Sequence, residues 1–274
     1  MRTLCSILLI TCSALFSFAG TADTVAIASK AMGRSYKAVV IKPENYGQAG
    51  KRFETVYLLH GHGGNFSNWV KLVPQLKNYA DDYQLIIVCP EGKTAGWYIN
   101  SHIADSMQFE TYIAKEVPAF IDTNYNTVAN RNGRAITGLS MGGHGGMYLG
   151  FKNQSMFSAC GSMSGALLIH KITDKRYGID KLLGDTSATD VWYNHSVLKF
   201  LEAGRKDSIE VIMDCGTEDF LIEMSRTVHN RMLELKLPHD YIERPGRHDW
   251  NYWRNAVQYQ LLFFRNHFNK LKAS

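Results

Sequence analysis

The chain has 274 residues, of which 45% are hydrophobic, enough for one large buried core and better suited to a single domain than to two small ones. The formal net charge is +5 and the basic residues are dispersed, which argues against a nucleic-acid-binding arm. The sequence contains no internal repeat, low-complexity segment or Pro/Gly/Ser-rich linker.

The first 22 residues predict an export signal. Arg2 supplies a positive charge, residues 4–18 are mostly apolar, and small residues before positions 20 and 23 fit cleavage sites. The apolar stretch is short and too rich in Ser and Thr for a membrane span, and apolar residues continue past Cys12, which disfavours lipid attachment there. We therefore expect an exported protein, periplasmic or secreted, with a single domain over residues 23–274.

Strand patterns recur along the rest of the chain. Residues 25–28 and 36–41 predict an antiparallel hairpin. Because the apolar runs that follow lack polar alternation, they suit parallel strands covered on both faces. These runs lie at residues 56–59, 85–88, 134–137, 157–163 and 209–213.

Helical patterns alternate with these runs. Apolar residues from Phe109 to Ile121 recur at helical spacing, with Asp105 as the predicted cap and Gln108 completing a capping box. The same spacing predicts a closing helix from Trp253 onwards. The alternation predicts the α/β class, with a mainly parallel, doubly wound sheet and helices on both faces. Such sheets bind ligands at the carboxyl ends of their strands.

Three cysteines remain after the predicted cleavage: Cys89, Cys160 and Cys215. Each lies in or near an apolar strand-like run, so we expect small buried hydrophobic side chains. An odd number allows at most one disulfide without a partner chain, which excludes a disulfide-stabilised scaffold.

A serine lies on the most informative turn of the chain. The segment Gly138-Leu139-Ser140-Met141-Gly142 follows a predicted strand and leads into a predicted helix. This is the pattern of the nucleophile elbow of α/β-hydrolases, in which flanking glycines let strand and helix pass closely. We therefore predict Ser140 as a nucleophile.

A serine nucleophile needs a base and an acid that orients the base. His248 lies between the strand-like residues 241–243 and the closing helix, where this fold carries its base. Asp219 is the preferred acid because it lies on the loop beyond the strand at 209–213. Asp214 at the strand end is the second choice and Glu218 the third.

Backbone amides are predicted to stabilise an oxyanion. The first is that of Met141, directly after the nucleophile, and the second that of His62 in a glycine-rich loop. A metal site at His60 and His62 is disfavoured, because no carboxylate or cysteine lies near them in sequence. The segment 161–165 resembles a second elbow but has Met163 at its centre, and we expect a strand end that lines the pocket.

Several motifs in register resemble the esterase family related to esterase D. They are the segments 57–61, 138–143, 161–165, 214–219 and 248–250, and the match runs from about Met32 to the C-terminus. The family includes S-formylglutathione hydrolases, tributyrin esterases, mycolyltransferases, and acetyl xylan and feruloyl esterases of carbohydrate esterase family one. S-formylglutathione hydrolases carry a Thr-Cys pair after the oxyanion glycine, where this chain has His62-Gly63-Gly64-Asn65.

The resemblance implies the α/β-hydrolase fold, the triad Ser140, Asp219 and His248, and the oxyanion amides of His62 and Met141. It also implies that Trp97 lies near the acyl pocket. We expect Gly61, His144 and Trp250 to contribute to substrate binding as well. No metal or organic cofactor is needed for such chemistry.

The sequence therefore predicts an exported serine esterase that cleaves small acyl esters through an acyl-enzyme, with acetyl or feruloyl esters of plant polysaccharide as candidate substrates. The alternatives are a thioesterase like the S-formylglutathione hydrolases and an acyltransferase to an alcohol acceptor. A complete set of triad residues disfavours a non-catalytic binding protein. Loops at residues 93–103 and 167–195 are expected to shape the pocket, the latter as a partial lid.

Overall fold

The computed structural model describes residues 20–202 and 209–273. Residues 1–19, which form most of the predicted export signal, lie outside the described residues. The first strand begins at Thr21, so cleavage before Gly20 leaves this strand whole, whereas cleavage before Asp23 removes its first two residues.

A single mixed sheet organises the described residues, with its strands in the order β1-β2-β4-β3-β5-β6-β7-β8. The β1–β2 hairpin is antiparallel and β2 pairs antiparallel with β4, whereas all later neighbours are parallel. This confirms the predicted hairpin and the mainly parallel sheet. The strands are β1 (Thr21–Ser29), β2 (Arg34–Lys42), β3 (Glu54–Leu59), β4 (Leu85–Pro90), β5 (Arg134–Gly138), β6 (Ala159–Met163), β7 (Glu210–Gly216) and β8 (Asp240–Arg244).

Helices cover both faces of this sheet. The α-helices are α1 (Asn68–Leu72), α2 (Leu76–Asp82), α3 (Phe109–Thr111), α4 (Val117–Asn124), α5 (Met141–Lys152), α6 (Asp180–Leu183), α7 (Thr189–Tyr193), α8 (Val197–Glu202), α9 (Ile222–Glu234) and α10 (Trp250–Ala273). A π-helical turn, Tyr112–Glu116, joins α3 to α4. Short 3-10 turns lie at Glu44–Gly47, Arg131–Gly133, Ile169–Lys171 and Lys175–Tyr177.

The unbroken apolar strands are explained by two cores, one on each face. Val56 and Leu58 of β3 pack with side chains of α1, α2 and α10. The intervening Tyr57 and Leu59 pack with side chains of α4, α5 and α9 on the other face. Because successive side chains of a strand point to opposite faces, every position of β3 is buried.

The predicted capping box at Asp105 is wrong. The helix begins at Phe109, and Gln108 is its N-cap residue without a side-chain cap bond. The Gln108 amide instead donates to the carbonyl of Ser101 at 2.8 Å, and residues 100 and 108 form a bridge. The loop that contains Asp105 is thus closed on itself by hydrogen bonds, which leaves the helix to start four residues later.

Cys89, Cys160 and Cys215 are buried, on β4, β6 and β7 respectively, as their apolar surroundings predict. Burial raises the pKa of Cys215 to about 12 and also raises that of Cys89. None of the helices within residues 20–202 and 209–273 combines the length and the hydropathy that a membrane span requires.

Candidate active site

Ser140 lies at a sharp turn between β5 and α5, with φ +55° and ψ −116°. Glycines make the turn possible, since a Cβ atom at Gly138 or at Gly142 would come within 2.6 Å of backbone oxygens. The amide of Ser140 donates to the carbonyl of Met163 at 2.9 Å, and its carbonyl accepts from Ala166 at 3.2 Å. The β6 end therefore holds this turn in place.

Three side chains form a continuous hydrogen-bonded chain at this turn. The Ser140 hydroxyl donates to Nε2 of His248 at 3.0 Å. On the other side of the ring, Nδ1–H of His248 faces both carboxylate oxygens of Asp219, at 2.8 and 3.0 Å. This geometry can remove the proton from the serine while the carboxylate stabilises the charged imidazole.

Asp219 is almost completely buried, with 2% of its surface exposed. Its carboxylate accepts from the backbone amide of Leu221 at 2.8 Å, and Ser164 also hydrogen-bonds to it. Burial raises the pKa of Asp219, but the hydrogen bonds and charge of His248 and the other donors outweigh it, so the pKa lies below the ordinary carboxyl value. The group therefore stays ionised beside His248.

The two other candidate acids have different partners. Asp214, at the end of β7, is buried and pairs with Arg244 and with the hydroxyl of Tyr252. Glu218 forms an exposed ion pair with Arg247 at 3.0 Å. Asp214 thus ties β7 to β8 and α10, while Asp219 is the carboxylate that faces His248.

The loops that carry the acid and the base are paired through their backbones. Thr217 donates to the carbonyl of Arg244 at 3.0 Å, and Glu218 donates to that of Gly246 at 2.9 Å. A Cβ atom at Gly216 would lie 2.3 Å from the Gly246 oxygen, so this close approach requires glycine. The pairing fixes the separation between Asp219 and His248.

The glycine-rich loop after β3 packs against the serine turn. A Cβ atom at Gly61 would lie 2.5 Å from Leu139 and 3.4 Å from the Cβ of Ser140. The next residue, His62, lines the space beside Ser140, and Met141 begins α5 directly after the serine. The two predicted oxyanion amides thus belong to segments that flank the nucleophile.

His60 is a buried structural residue of the same loop. Its Nε2 accepts from the amide of Gly92 at 2.9 Å and its Nδ1 bonds to the Gly61 carbonyl at 2.8 Å. Glu91 lies 3.5 Å from Nε2, a carboxylate that the sequence order did not reveal as a neighbour. Because both ring nitrogens are engaged, His60 is poorly placed to bind a metal. No group of three or more metal-ligating side chains occurs among the described residues.

Two cavities meet at Ser140. The first, of about 320 Å³, is mostly apolar, and the second, of about 370 Å³, contains His248. The first is lined by His62, Trp97, Ser140, Ala166, Lys171, Ile172, Thr173, Asp174, Tyr177, Phe220, Leu221 and Met224. The second is lined by residues 60–64, Asn68, Leu139, Ser140, Tyr177, Phe220, His248, Trp250 and Trp253. The cavities share four lining residues, His62, Ser140, Tyr177 and Phe220.

The predicted substrate-binding residues fall into two groups. Trp97 lines the first cavity, and Gly61 and Trp250 line the second. His144 lines neither, because it is fully buried with its Nε2–H donating to the carbonyl of His195 at 2.8 Å. Its ring lies edge-on to Trp97 at 5.9 Å. The expectation for His144 is therefore corrected: it supports Trp97 from behind and does not face the cavity.

Sequence reasoning missed three residues of the site. Phe220, with 67% of its surface exposed, places its ring 4.5 Å from that of His248. Tyr177 accepts the indole hydrogen bond of Trp97 at 2.9 Å and lies edge-on to His62 at 5.4 Å. Ser164 accepts from the indole of Trp253 at 3.1 Å, beside Asp219. None of the three was named from the sequence, although Phe220 directly follows the predicted acid, Tyr177 lies in the loop at residues 167–195 that was expected to shape the pocket, and Ser164 lies in the segment 161–165 that was expected to line it.

Comparisons with known proteins agree with this architecture. The family model Esterase, described as "Putative esterase", matches residues 29–264. An acetyl esterase of Caldicellulosiruptor saccharolyticus is 28% identical over 225 residues, covering 76% of this chain and 81% of the relative. An esterase of Mycobacterium tuberculosis is 25% identical over 80% of this chain, which spans only 54% of that longer protein.

A solved structure of a ferulic acid esterase has a TM-score of 0.79 at 26% identity, covering 92% of this chain and all of that one. The family match spans most of the chain and includes the serine turn and both loops that complete the hydrogen-bonded chain. The protein therefore belongs to the Esterase family and is an α/β-hydrolase-fold serine carboxylester hydrolase.

Proposed function

We propose that the chain cleaves carboxylic esters in two steps through an acyl-enzyme on Ser140. The proposal rests on the hydrogen-bonded chain from Ser140 through His248 to Asp219. Ser140 attacks the ester carbonyl as His248 takes its proton, and the oxyanion accepts hydrogen bonds from the amides of His62 and Met141. His248 then passes the proton to the leaving oxygen, and water releases the acid in the second step.

The two cavities receive the two halves of the ester. His248 must protonate the leaving oxygen, so the alcohol half occupies the cavity of about 370 Å³ that His248 lines. The acyl half then occupies the apolar cavity of about 320 Å³ beside Trp97. This assignment is supported by the position of Ser140 on the boundary of both cavities.

The acyl group is of the feruloyl class, with a planar aromatic ring. Cavities of roughly 300–1,000 Å³ typically hold drug-sized ligands, so an acetyl group would leave most of this space without contacts. Trp97, Tyr177 and Phe220 offer aromatic faces, and Met224 adapts to a flat ring. One relative is named an acetyl esterase and one solved neighbour a ferulic acid esterase, and both activities belong in the test.

The predicted export signal and the resemblance to carbohydrate esterase family one support an extracytoplasmic ester of polysaccharide as the substrate. On this proposal the sugar hydroxyl is the leaving group and the protein acts outside the cytoplasm. Fusing residues 1–274 to a reporter and measuring on which side of the membrane the reporter is found tests the proposed export separately from the ester chemistry.

The acyl assignment is tested with two esters that share one leaving group, p-nitrophenyl ferulate and p-nitrophenyl acetate. We expect a higher kcat/KM for the ferulate. Met224→Trp fills the acyl cavity and should lower the value for the ferulate much more than for the acetate. Thr227→Trp, on the exposed side of the same helix, is the matched control. Equal loss for both esters in Met224→Trp would contradict the assignment.

A further inference from the structure

A third cavity continues the alcohol side of the site. It encloses about 850 Å³ and shares His62, Gly63 and Gly64 with the cavity that contains His248. Gly63 lies at φ +75°, and a Cβ atom there would meet nothing within 4 Å. The two cavities adjoin along these residues, and no side chain at Gly63 or Gly64 stands between them, so an alcohol larger than one sugar ring would extend across these glycines. We call the third cavity the cationic cleft.

Basic side chains dominate the lining of the cationic cleft. Lys93, Lys175, Arg176 and Lys181 line it, and among the described lining residues Glu91 carries the one carboxylate. These cations come from three segments, namely the loop after β4, the 3-10 turn Lys175–Tyr177 and α6. They therefore offer several separate positive charges, and not the single cluster of donors that binds one phosphate.

The charges are largely available to a ligand. Glu91 is already engaged by the amides of Lys93 at 2.7 Å and Phe66 at 3.3 Å. Within residues 20–202 and 209–273, Lys93, Lys175 and Lys181 form no ion pair within 4 Å. The pKa of Asp185 is lowered mainly by hydrogen bonds from Ser187, and the charge of Lys175 contributes to this shift. Arg176 pairs with Asp174 at 2.6 Å. Unpaired lysines around an open cleft attract an extended anion and raise its local concentration.

We propose that the alcohol half of the substrate belongs to an acidic polysaccharide whose uronic acid carboxylates bind in the cationic cleft. The inference rests on the proposed ester hydrolysis and on the assignment of the alcohol to the His248 side. Several single carboxylates spaced along a chain match several separated lysines, whereas a neutral glycan gains nothing from them. The cleft thus selects the charge of the polymer, and the apolar cavity selects the acyl group.

The test compares O-feruloylated oligogalacturonates with O-feruloylated xylo-oligosaccharides of equal length. We expect the wild-type kcat/KM to be higher for the acidic substrate at low salt and the advantage to shrink as NaCl rises from about 0.05 M to about 0.5 M. In Lys175→Gln/Lys181→Gln the ratio of acidic to neutral kcat/KM should fall by about fivefold, which corresponds to about 1 kcal/mol for the two exposed pairs together. Lys236→Gln/Lys270→Gln removes the same charge elsewhere and should keep the wild-type ratio.

Separate readouts distinguish failure of this inference from failure of the ester chemistry. Hydrolysis of p-nitrophenyl acetate by the wild-type protein tests the chemistry without any sugar. If that ester is cleaved but the two oligosaccharides react equally, or both double variants lower the ratio alike, the cationic cleft does not bind uronates. A clear preference for S-formylglutathione over both oligosaccharides would also overturn the inference, because a small anionic thiol would then be the leaving group.

Discussion

The backbone at Ser140 has an unusual conformation, with φ +55° and ψ −116°, that its surroundings impose. Its side chain is half-buried and contributes chemistry more than packing. We expect Ser140→Ala to lower kcat for p-nitrophenyl acetate by about 10³-fold or more, while the Tm stays the same or rises slightly. Rate assays and thermal denaturation of the same preparation check this. Wild-type rates in a folded Ser140→Ala protein would exclude this serine from the reaction.

Two neighbouring carboxylates are expected to have opposite mutational effects. Asp219 holds the imidazole of His248, so Asp219→Asn should lower kcat/KM by about 10⁴-fold with a small change in Tm, because the amide favours the wrong tautomer. Asp214 pairs with buried partners on β8 and α10, so Asp214→Asn should lower the free energy of unfolding by about 3 kcal/mol with a smaller loss of activity.

Steady-state kinetics and denaturation of both variants decide between these roles. If Asp214→Asn is the inactive variant and keeps the wild-type Tm, the assignment of the acid to Asp219 fails. Arg244→Gln serves as the control for the ion pair between Arg244 and Asp214. It removes the charged partner of Asp214 and should lower the free energy of unfolding as Asp214→Asn does.

The elements that matter most are the two loops after β7 and β8. Gly216 ends β7 and lies against Gly246, with no room for a Cβ atom. We expect Gly216→Ala to push the loops apart, lengthen the contact between Asp219 and His248, and lower kcat/KM by about tenfold or more. The same strain should lower the free energy of unfolding by about 1–3 kcal/mol.

Gly47→Ala is the matched control for this change. A Cβ atom at Gly47 would meet nothing within 4 Å, and its φ is not in the left-handed region. The kcat/KM and the Tm of Gly47→Ala should therefore equal those of the wild-type protein. An active Gly216→Ala protein with an unchanged Tm would show that the loops tolerate separation, contrary to the tight backbone pairing.

At the scale of the whole molecule, burial of histidines predicts loss of stability in acid. Burial lowers the pKa of His144 to about 4 from 6.5. The unfolded chain therefore binds this proton first, so stability is fully present above pH 6.5 and declines as pH falls towards about 4. His144 alone accounts for a loss on the order of 3 kcal/mol. Burial also lowers the pKa of His62, His170, His195, His229 and His267, which act in the same direction.

Unfolding by urea at pH 7.5 and at pH 4.5 measures this effect. The wild-type protein should be markedly less stable at the lower pH, and His144→Phe should show a smaller difference between the two pH values because Phe does not titrate. A difference as large in His144→Phe as in the wild type would mean that other groups account for the acid effect.

Much of the fold was predictable because its signals are local. Apolar runs without alternation indicated parallel strands, and the structure confirms the mainly parallel sheet with a helix layer on each face. The cap at Asp105 failed because Ser101 and Gln108 offered the backbone better partners within the same loop. Local sequence patterns compete with such nearby hydrogen bonds, and the sequence alone does not rank them.

The sequence by itself determined the order of the chemical groups: a serine on a glycine-flanked turn, acids at the end of β7 and just beyond it, and a histidine before α10. Only the tertiary structure decided which acid faces His248: Asp214 lies within β7 and pairs with Arg244, whereas Asp219 lies on the loop beyond β7 and reaches the imidazole. The tertiary structure also decided which residues line the cavities. Trp97 hydrogen-bonds to Tyr177, which lies 80 residues later in the sequence, and His144 packs against Trp97. Strand and helix periodicity is encoded between neighbours in sequence, whereas a pocket is formed by side chains that only the packed sheet and loops bring together.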